Sequence, residues 1–398
     1  MLKLWLVLAL GLASCGFIDY ERLREPELTP ERTTSGVRGF RMRLTLPGES
    51  IRAALANFPL FVGWPAKAEL SEALGAALPQ IFVTLANENT LLPSEIEHFD
   101  PNTGALAMWT LVPRLDVGRT LELDLYFDLS GSSRDTQVQE LWSRAGIEGV
   151  WHLGEVAQGS EGEIKDSSAQ VVHGQGGSGS TALLPEQAPS ILGFGQRFKG
   201  DGGHIRFPSG QALAPRGSIS HWIYVDTPGS VRIGYYESSG SGSDFDGFGT
   251  GATQAYEWHS AVGDDLSYLG LMWNENYPGV AQFNAQLWGS NLMFAGRWAH
   301  LAASWDGLDV RVFLDGVQVR NGTLPASQAA SAIAQFRSLG TSKDAVGYAP
   351  ARVRSWLGMI DELQISRLPR DPEWFRLSQA NQRDPMLFFV LGDLVRVR

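Results

Sequence analysis

Glu95 and Glu97 stand two apart in the run Leu92-Pro93-Ser94-Glu95-Ile96-Glu97-His98-Phe99-Asp100. On a β-strand alternate side chains share a face, so the two carboxyls project together. Retaining glycoside hydrolysis uses such a pair, about 5–5.5 Å apart, as nucleophile and acid/base. No second acidic strand and no aromatic sugar platform accompany it nearby. The pair therefore reads as a solvent-facing polar edge with His98 or a cation close by. Asp361-Glu362 is the other close acidic pair, but adjacent strand residues leave opposite faces and cannot cooperate. Asp361 shares a face with Met359, Leu363 and Ile365, so it is expected in the core with a partner. Asp244-Phe245-Asp246-Gly247 hints at a calcium loop, but Thr253 stands where that pattern needs an acid. There is no Gly-x-Ser-x-Gly elbow, His-Glu-x-x-His, P-loop or zinc-type cysteine pair. The seven histidines are scattered, with His152, His221 and His300 inside strand motifs as structural residues.

The elements that must position these groups are strands. Forty-five glycines and twenty prolines imply many tight turns, and long helical periodicity is scarce. Short helices are expected near 66–78, 136–144 and 371–381. Phe40 to Leu44 alternates strictly, and Leu121 to Phe127 alternates acidic with apolar residues as a half-solvated antiparallel strand. Val310 to Leu314 runs into Asp315-Gly316, the φ > 0 pair of a type I′ hairpin, and Val317 to Val319 returns. Strands at this spacing predict sandwiches, and 398 residues predict two of them. The fold class is all-β: two consecutive β-sandwich domains, 37–146 and 147–398.

Cys15 is the sole cysteine, so no internal disulfide forms. Lys3 precedes an apolar run from Leu4 to Leu12, too short to span a bilayer. With Leu12-Ala13-Ser14-Cys15 this resembles the lipobox of bacterial lipoproteins. The resemblance implies a signal peptide over 1–14 and lipid on Cys15. Gly16, where an Asp would resemble the inner-membrane retention signal, favours the outer membrane or cell surface. Residues 15–36, with Arg24-Glu25-Pro26-Glu27, read as the anchor and a flexible spacer. Loss of Lys3 moves the formal charge from −11 to −12. An acidic chain without a basic cluster argues against nucleic acid.

Asn57-Phe58-Pro59-Leu60, the Leu92–Asp100 run, Met108-Trp109 and Val112-Pro113 resemble an uncharacterised domain attached to some MotA/TolQ/ExbB-type proton channel proteins. A second resemblance rests on Gly149-Val150-Trp151-His152-Leu153, Lys165-Asp166-Ser167-Ser168, Gly195 to Ile205, Gly217 to Ile223, Trp298 to Gly307, Val310 to Val317 and Gly358 to Ser366. Their order is similar to the LamG-like, concanavalin A-like lectin/glucanase jelly roll. Relatives of that fold place a calcium ion near Asp361, which implies a structural calcium held with Asp201. The alternative is that Asp361 caps backbone amides or pairs with Arg197, Arg206 or Arg354. Tail residues 381–391 resemble the closing segment of such proteins and are expected as a last strand.

Trp258, Tyr268, Trp273, Tyr277 and Trp288 crowd the stretch 256–288, and exposed Trp and Tyr stack on sugars or anchor proteins. These five are the expected ligand contacts. The leading functional expectation is a non-catalytic, surface-displayed lipoprotein recognising a glycan or protein ligand, joined to the membrane through its lipid. A scaffold lipoprotein of an envelope complex is the alternative. A polysaccharide hydrolase acting through Glu95 and Glu97 ranks third.

Overall fold

The computed structural model describes residues 34–213, 216–226, 255–259, 270–274, 296–306, 309–323, 334–340 and 356–397. The first part comprises β1 (Gly39–Leu46), β2 (Leu55–Trp64), α1 (Ala68–Leu74), β3 (Gln80–Leu85), β4 (Ser94–Asp100), β5 (Ala105–Leu115), β6 (Leu121–Asp128) and α2 (Val138–Ala145). The second runs through β7 (Ile147–Trp151), β8 (Gln175–Gly176), β9 (Glu186–Ser190), β10 (Gly193–Lys199), β11 (Ile205–Leu213) and β12 (Arg216–Val225). It continues with β13 (Ala255–His259), β14 (Gly270–Asn274), β15 (Trp298–Asp306), β16 (Asp309–Leu314), β17 (Val317–Thr323), β18 (Ala334–Leu339) and β19 (Leu357–Ser366). The chain then closes with α3 (Pro372–Arg383), α4 (Pro385–Phe388) and β20 (Val390–Val397). The protein is mostly β-sheet, as expected. No helix among the described residues is long and apolar enough to cross a membrane.

Two sheets, ordered β20-β1-β6-β3 and β2-β5-β4, form the first sandwich. Met42, Leu44 and Leu46 of β1 face Leu60, Val62, Met108 and Val112 across its core. The outward side of β6 is not half-solvated. Asp124 is buried there beneath Arg43, whose Nε donates to it at 2.6 Å, and Tyr126 stacks on Phe82. Long arginine stems cover what the alternation alone marks as wet.

The second sandwich lays the sheet path β17-β16-β15-β12-β19-β10-β9 against β18-β11-β8. Trp151, Phe198, Ile205, Ile219, Leu301, Val312, Ile360 and Leu363 fill the space between. Asp315 and Gly316 adopt φ of 49° and 74°, the hairpin turn read from the sequence. The tail departs from expectation. α4 and β20 do not close the jelly roll; β20 pairs with β1, from Gly39 opposite Val397 to Thr45 opposite Val390. Phe388 and Phe389 sink into the first core, where the exposed edge of β1 takes the strand.

α3 is the wedge between the sandwiches. Asp371 caps it by accepting from the Trp374 amide at 2.9 Å. On one side Trp374 meets Phe58, and on the other Phe375 packs on Phe313 at 4.5 Å. Trp222 of β12 donates to Gln382 at 2.6 Å. The large sheet thus has both faces covered over β12, β15 and β16: one by its own core, the other by α3.

Candidate functional site

Two β-bulges build the site, one in each sandwich. On β4 the register passes from Ile96 opposite Met108 to His98 opposite Ala107, leaving Glu97 as the extra residue. The edge of β4 turned toward the second sandwich therefore carries Glu95, Glu97 and His98. The His98 ring meets Phe194 of β10 at 5.7 Å. On β19 the register slips between Ser220 and Trp222 of β12, where Glu362 takes a φ of 52°. Ile360, Leu363 and Ile365 all enter the jelly-roll core, so strand parity flips between 360 and 363. Both Asp361 and Glu362 then leave by the opposite face, toward β4. This corrects the expectation that the two diverge and that Asp361 shares the core face of Leu363. A non-glycine residue at positive φ costs free energy and gathers at functional sites.

His152, just past β7, stands between the two acidic strands. Its Nδ1 lies 2.8 Å from Glu362 Oε2 and 3.7 Å from Glu97 Oε2, and its Nε2 lies 3.3 Å from Glu95 Oε2. Gln196 fixes the chain beyond it by donating to the carbonyls of Leu153 and Glu155 at 2.8 and 2.6 Å. Asp166 holds the opposite side, accepting from the amides of Val150, Ser168 and Val172. That turn aims Ser167 Oγ at Glu95 Oε1, 2.5 Å away, while Trp142 Nε1 donates to Glu95 Oε2 at 2.6 Å. Glu362 Oε1 accepts from Gln364 at 2.9 Å. Asp361 Oδ2 accepts from Ser190 Oγ at 2.7 Å and from the Leu192 amide at 3.1 Å. Among the described residues the other oxygen of Asp361, Glu97 Oε2, His152 Nε2 and the Trp109 Nε1–H are buried without a partner in good hydrogen-bond geometry, although Trp109 is near enough to Glu97 to act against the rise of its pKa.

The electrostatics follow from burial and crowding. Burial opposes a charged imidazole at His152, but the carboxylates of Glu362, Glu95 and Glu97 outweigh it and hold its pKa well above the ordinary value. Burial drives Glu97 well up, with Glu362 and Asp361 adding to the rise. Asp361 rises for the same reason, with Glu362 next to it. Glu95 goes down instead: burial would raise it, but His152 and the hydrogen bonds from Ser167 and Trp142 prevail. Within the cluster, the charged form is thus favoured at His152 and Glu95, whereas burial and crowding penalise charge on Glu97 and Asp361.

The Glu97, His152 and Glu362 ligand atoms all lie within 4.8 Å of one another. That set suits a cation better than a sugar. The Glu97 and Glu362 side chains are only 7% and 1% exposed. Glu95 and Glu97 are thus no solvent-facing edge, and the second acidic strand comes from the other sandwich. Asp100 serves the β4–β5 turn, accepting from the Asn102 amide and Thr103 Oγ1.

The expected calcium pair is not brought together. Asp361 sits beside Gly195, whereas Asp201 lies beyond Lys199 at the far end of β10, roughly 13 Å or more along the strand. Asp201 is exposed and accepts from the Gly203 amide at 3.1 Å. Trp258 and Trp273 fall in the hairpin β13–β14, where Trp258 opposes Leu271 and Trp273 opposes Tyr256. Cys15, Asp244, Asp246, Tyr268, Tyr277 and Trp288 lie outside the described residues. His152 was missed as a site residue because its partners come from positions about 55 and 210 residues away, which no local pattern reports.

Residues 199–388 match the family model described as the Concanavalin A-like lectin/glucanases superfamily. That stretch is a lectin-like jelly-roll domain. No curated protein matches the chain. Among solved structures, domain 4 of AbnA, a GH43 extracellular arabinanase from Geobacillus stearothermophilus in complex with arabinotriose, is 16% identical with a TM-score of 0.41. The match covers 58% of this chain and 96% of that one. The binding domain of botulinum neurotoxin DC, in complex with rat synaptotagmin II, is 8% identical at a TM-score of 0.39 over 60% of this chain and 52% of its own. Trypanosoma rangeli sialidase is 10% identical at 0.37, over 74% and 44% respectively. With TM-scores below 0.5, these likenesses place no ligand and no activity on this chain.

Proposed function

We propose that this protein is a non-catalytic carbohydrate-recognition module, displayed at a cell envelope by lipid on Cys15. The lectin/glucanase match over 199–388 carries the reading. The acidic cluster supports the non-catalytic part, since its carboxylates are enclosed and held by Trp142, Ser167, Gln364 and Ser190. The wedge α3 covers one face of the large sheet, so the ligand surface is assigned to the side bearing the β13–β14 hairpin, which runs beside β18. Trp258 and Trp273 are its proposed contacts, because indole faces stack on sugar rings. The first sandwich is assigned as a spacer between anchor and lectin fold.

A glycan array probed with the folded protein tests this. Binding to at least one glycan class is expected, with a loss of ~10-fold or more for Trp258→Ala or Trp273→Ala, roughly the worth of one stacking aromatic. A blank array from protein with native far-UV circular dichroism would sink the reading. A second reading, the envelope scaffold, is favoured by the way α3 and β20 lock the two sandwiches together. Co-purification with a fixed membrane partner and no glycan binding would select it.

A further inference from the structure

The two bulges bring four carboxyls and an imidazole into one enclosed seam, with Glu95 and Glu97 from the first sandwich and His152, Asp361 and Glu362 from the second. Three of these groups already approach a ligand cage. A tetrahedral ion with bonds of about 2.0–2.2 Å needs donors roughly 3.3–3.5 Å apart. His152 Nδ1 stands 2.8 Å from Glu362 Oε2 and 3.7 Å from Glu97 Oε2, on either side of that separation, and the three ligand atoms lie within 4.8 Å of one another. We propose that Glu97, His152 and Glu362 hold one divalent transition-metal ion of the zinc class that staples the two sandwiches together.

Two observations independent of the cluster's acidity point to an ion. Glu97 Oε2 and Asp361 Oδ1 are buried acceptors that receive no hydrogen bond, although Glu97 Oε2 faces His152 directly. Buried acceptors normally find donors, and one grouped with an imidazole and a second carboxylate calls for a cation. The surroundings also match what metal-bound histidines require. The second ring nitrogen of His152 addresses Glu95, which is oriented by Trp142 and Ser167, and Glu362 is oriented by Gln364. At that 3.3 Å ion-pair distance the Glu95 carboxylate raises the basicity of the imidazole. Trp109 and Trp142 flank the ring and keep water out. An imidazole among so few donors selects a borderline ion over calcium, which takes six to eight oxygens. The proposed ion lies at a different place from the calcium expected with Asp201.

The test uses the full, untagged chain, stripped with a chelator and then titrated separately with zinc, cobalt and calcium. Zinc should bind at one equivalent and raise Tm by about 3 °C or more, while calcium at the same concentration leaves it unmoved. Glu97→Gln and Glu362→Gln should each weaken zinc binding ~10-fold or more with unchanged far-UV circular dichroism. Cobalt should give visible bands of a low-coordinate nitrogen and oxygen site, displaced by zinc; this readout needs no variant, should one fail to fold. Absence of one-equivalent binding, a hydrated-ion cobalt spectrum, or zinc affinity untouched in both folded variants would each overturn the proposal.

Discussion

Asn381 is the residue through which α3 grips the first sandwich, and its removal has a calculable effect. It is fully buried, and its side-chain amide lies along the free edge of β2 like a short strand. The Phe61 amide donates to its Oδ1 at 2.7 Å, and its Nδ2 donates to the Phe61 carbonyl at 2.8 Å. Asn381→Ala leaves both backbone groups buried and unpaired, at about 1–3 kcal/mol each. The better helix propensity of alanine returns roughly 0.6 kcal/mol, so a net loss of about 3 kcal/mol is expected. With a urea m-value of about 3 kcal/mol per molar, the midpoint should fall by ~1 M. Tryptophan fluorescence and far-UV circular dichroism should shift together, because α3 belongs to the cores of both sandwiches. Asn381→Asp keeps the acceptor but loses the donor and buries a charge, so it should be worse still. An alanine variant within ~0.5 kcal/mol of the parent would refute the assigned role, since two stranded backbone groups less the helix gain cost at least about 1.4 kcal/mol.

Acid should weaken the fold in a definable window. Burial pushes His300 down to about 4, against the pull of Asp315, and an unfolded imidazole titrates near about 6.5. The unfolded chain therefore takes up the proton first, so the stability His300 contributes is whole above about pH 6.5 and is lost as pH falls toward 4, reaching ~3 kcal/mol. Urea titrations across that range should show a flatter acid limb in His300→Gln; an unchanged limb would count against it. Cys15→Ser should move the protein from the membrane fraction to the soluble one on cell fractionation, and continued retention would exclude the lipid tether.

Much of the architecture is written in local pattern. Asp315-Gly316 carries its own hairpin because only certain residues tolerate two successive positive φ values. Asp371-Pro372 starts α3 with a cap and a preset φ, one residue from where the sequence places it. The helix near 136–144 and the alternating strands of both sandwiches are legible for the same reason, since side-chain period follows backbone geometry. The tail was harder: 381–391 reads as a last strand closing the jelly roll, whereas its first part is helical and β20 goes to the free edge of β1, over 340 residues away.

The acidic pairs mark the boundary most sharply. Sequence alone determined that Glu95 and Glu97 share a side, because two-residue spacing on a strand requires it. It also determined that Asp361 would be buried and in need of partners. It read Asp361 and Glu362 as diverging, because strict alternation is the only rule local sequence offers, and nothing about a glutamate announces φ of 52°. Only the tertiary structure decided that a bulge turns both toward His152 and that the missing second acidic strand belongs to the other sandwich. Bulges and seams are settled by the packing of distant surfaces. The residues that carry the chemistry are visible in the chain, but their meeting is a property of the fold.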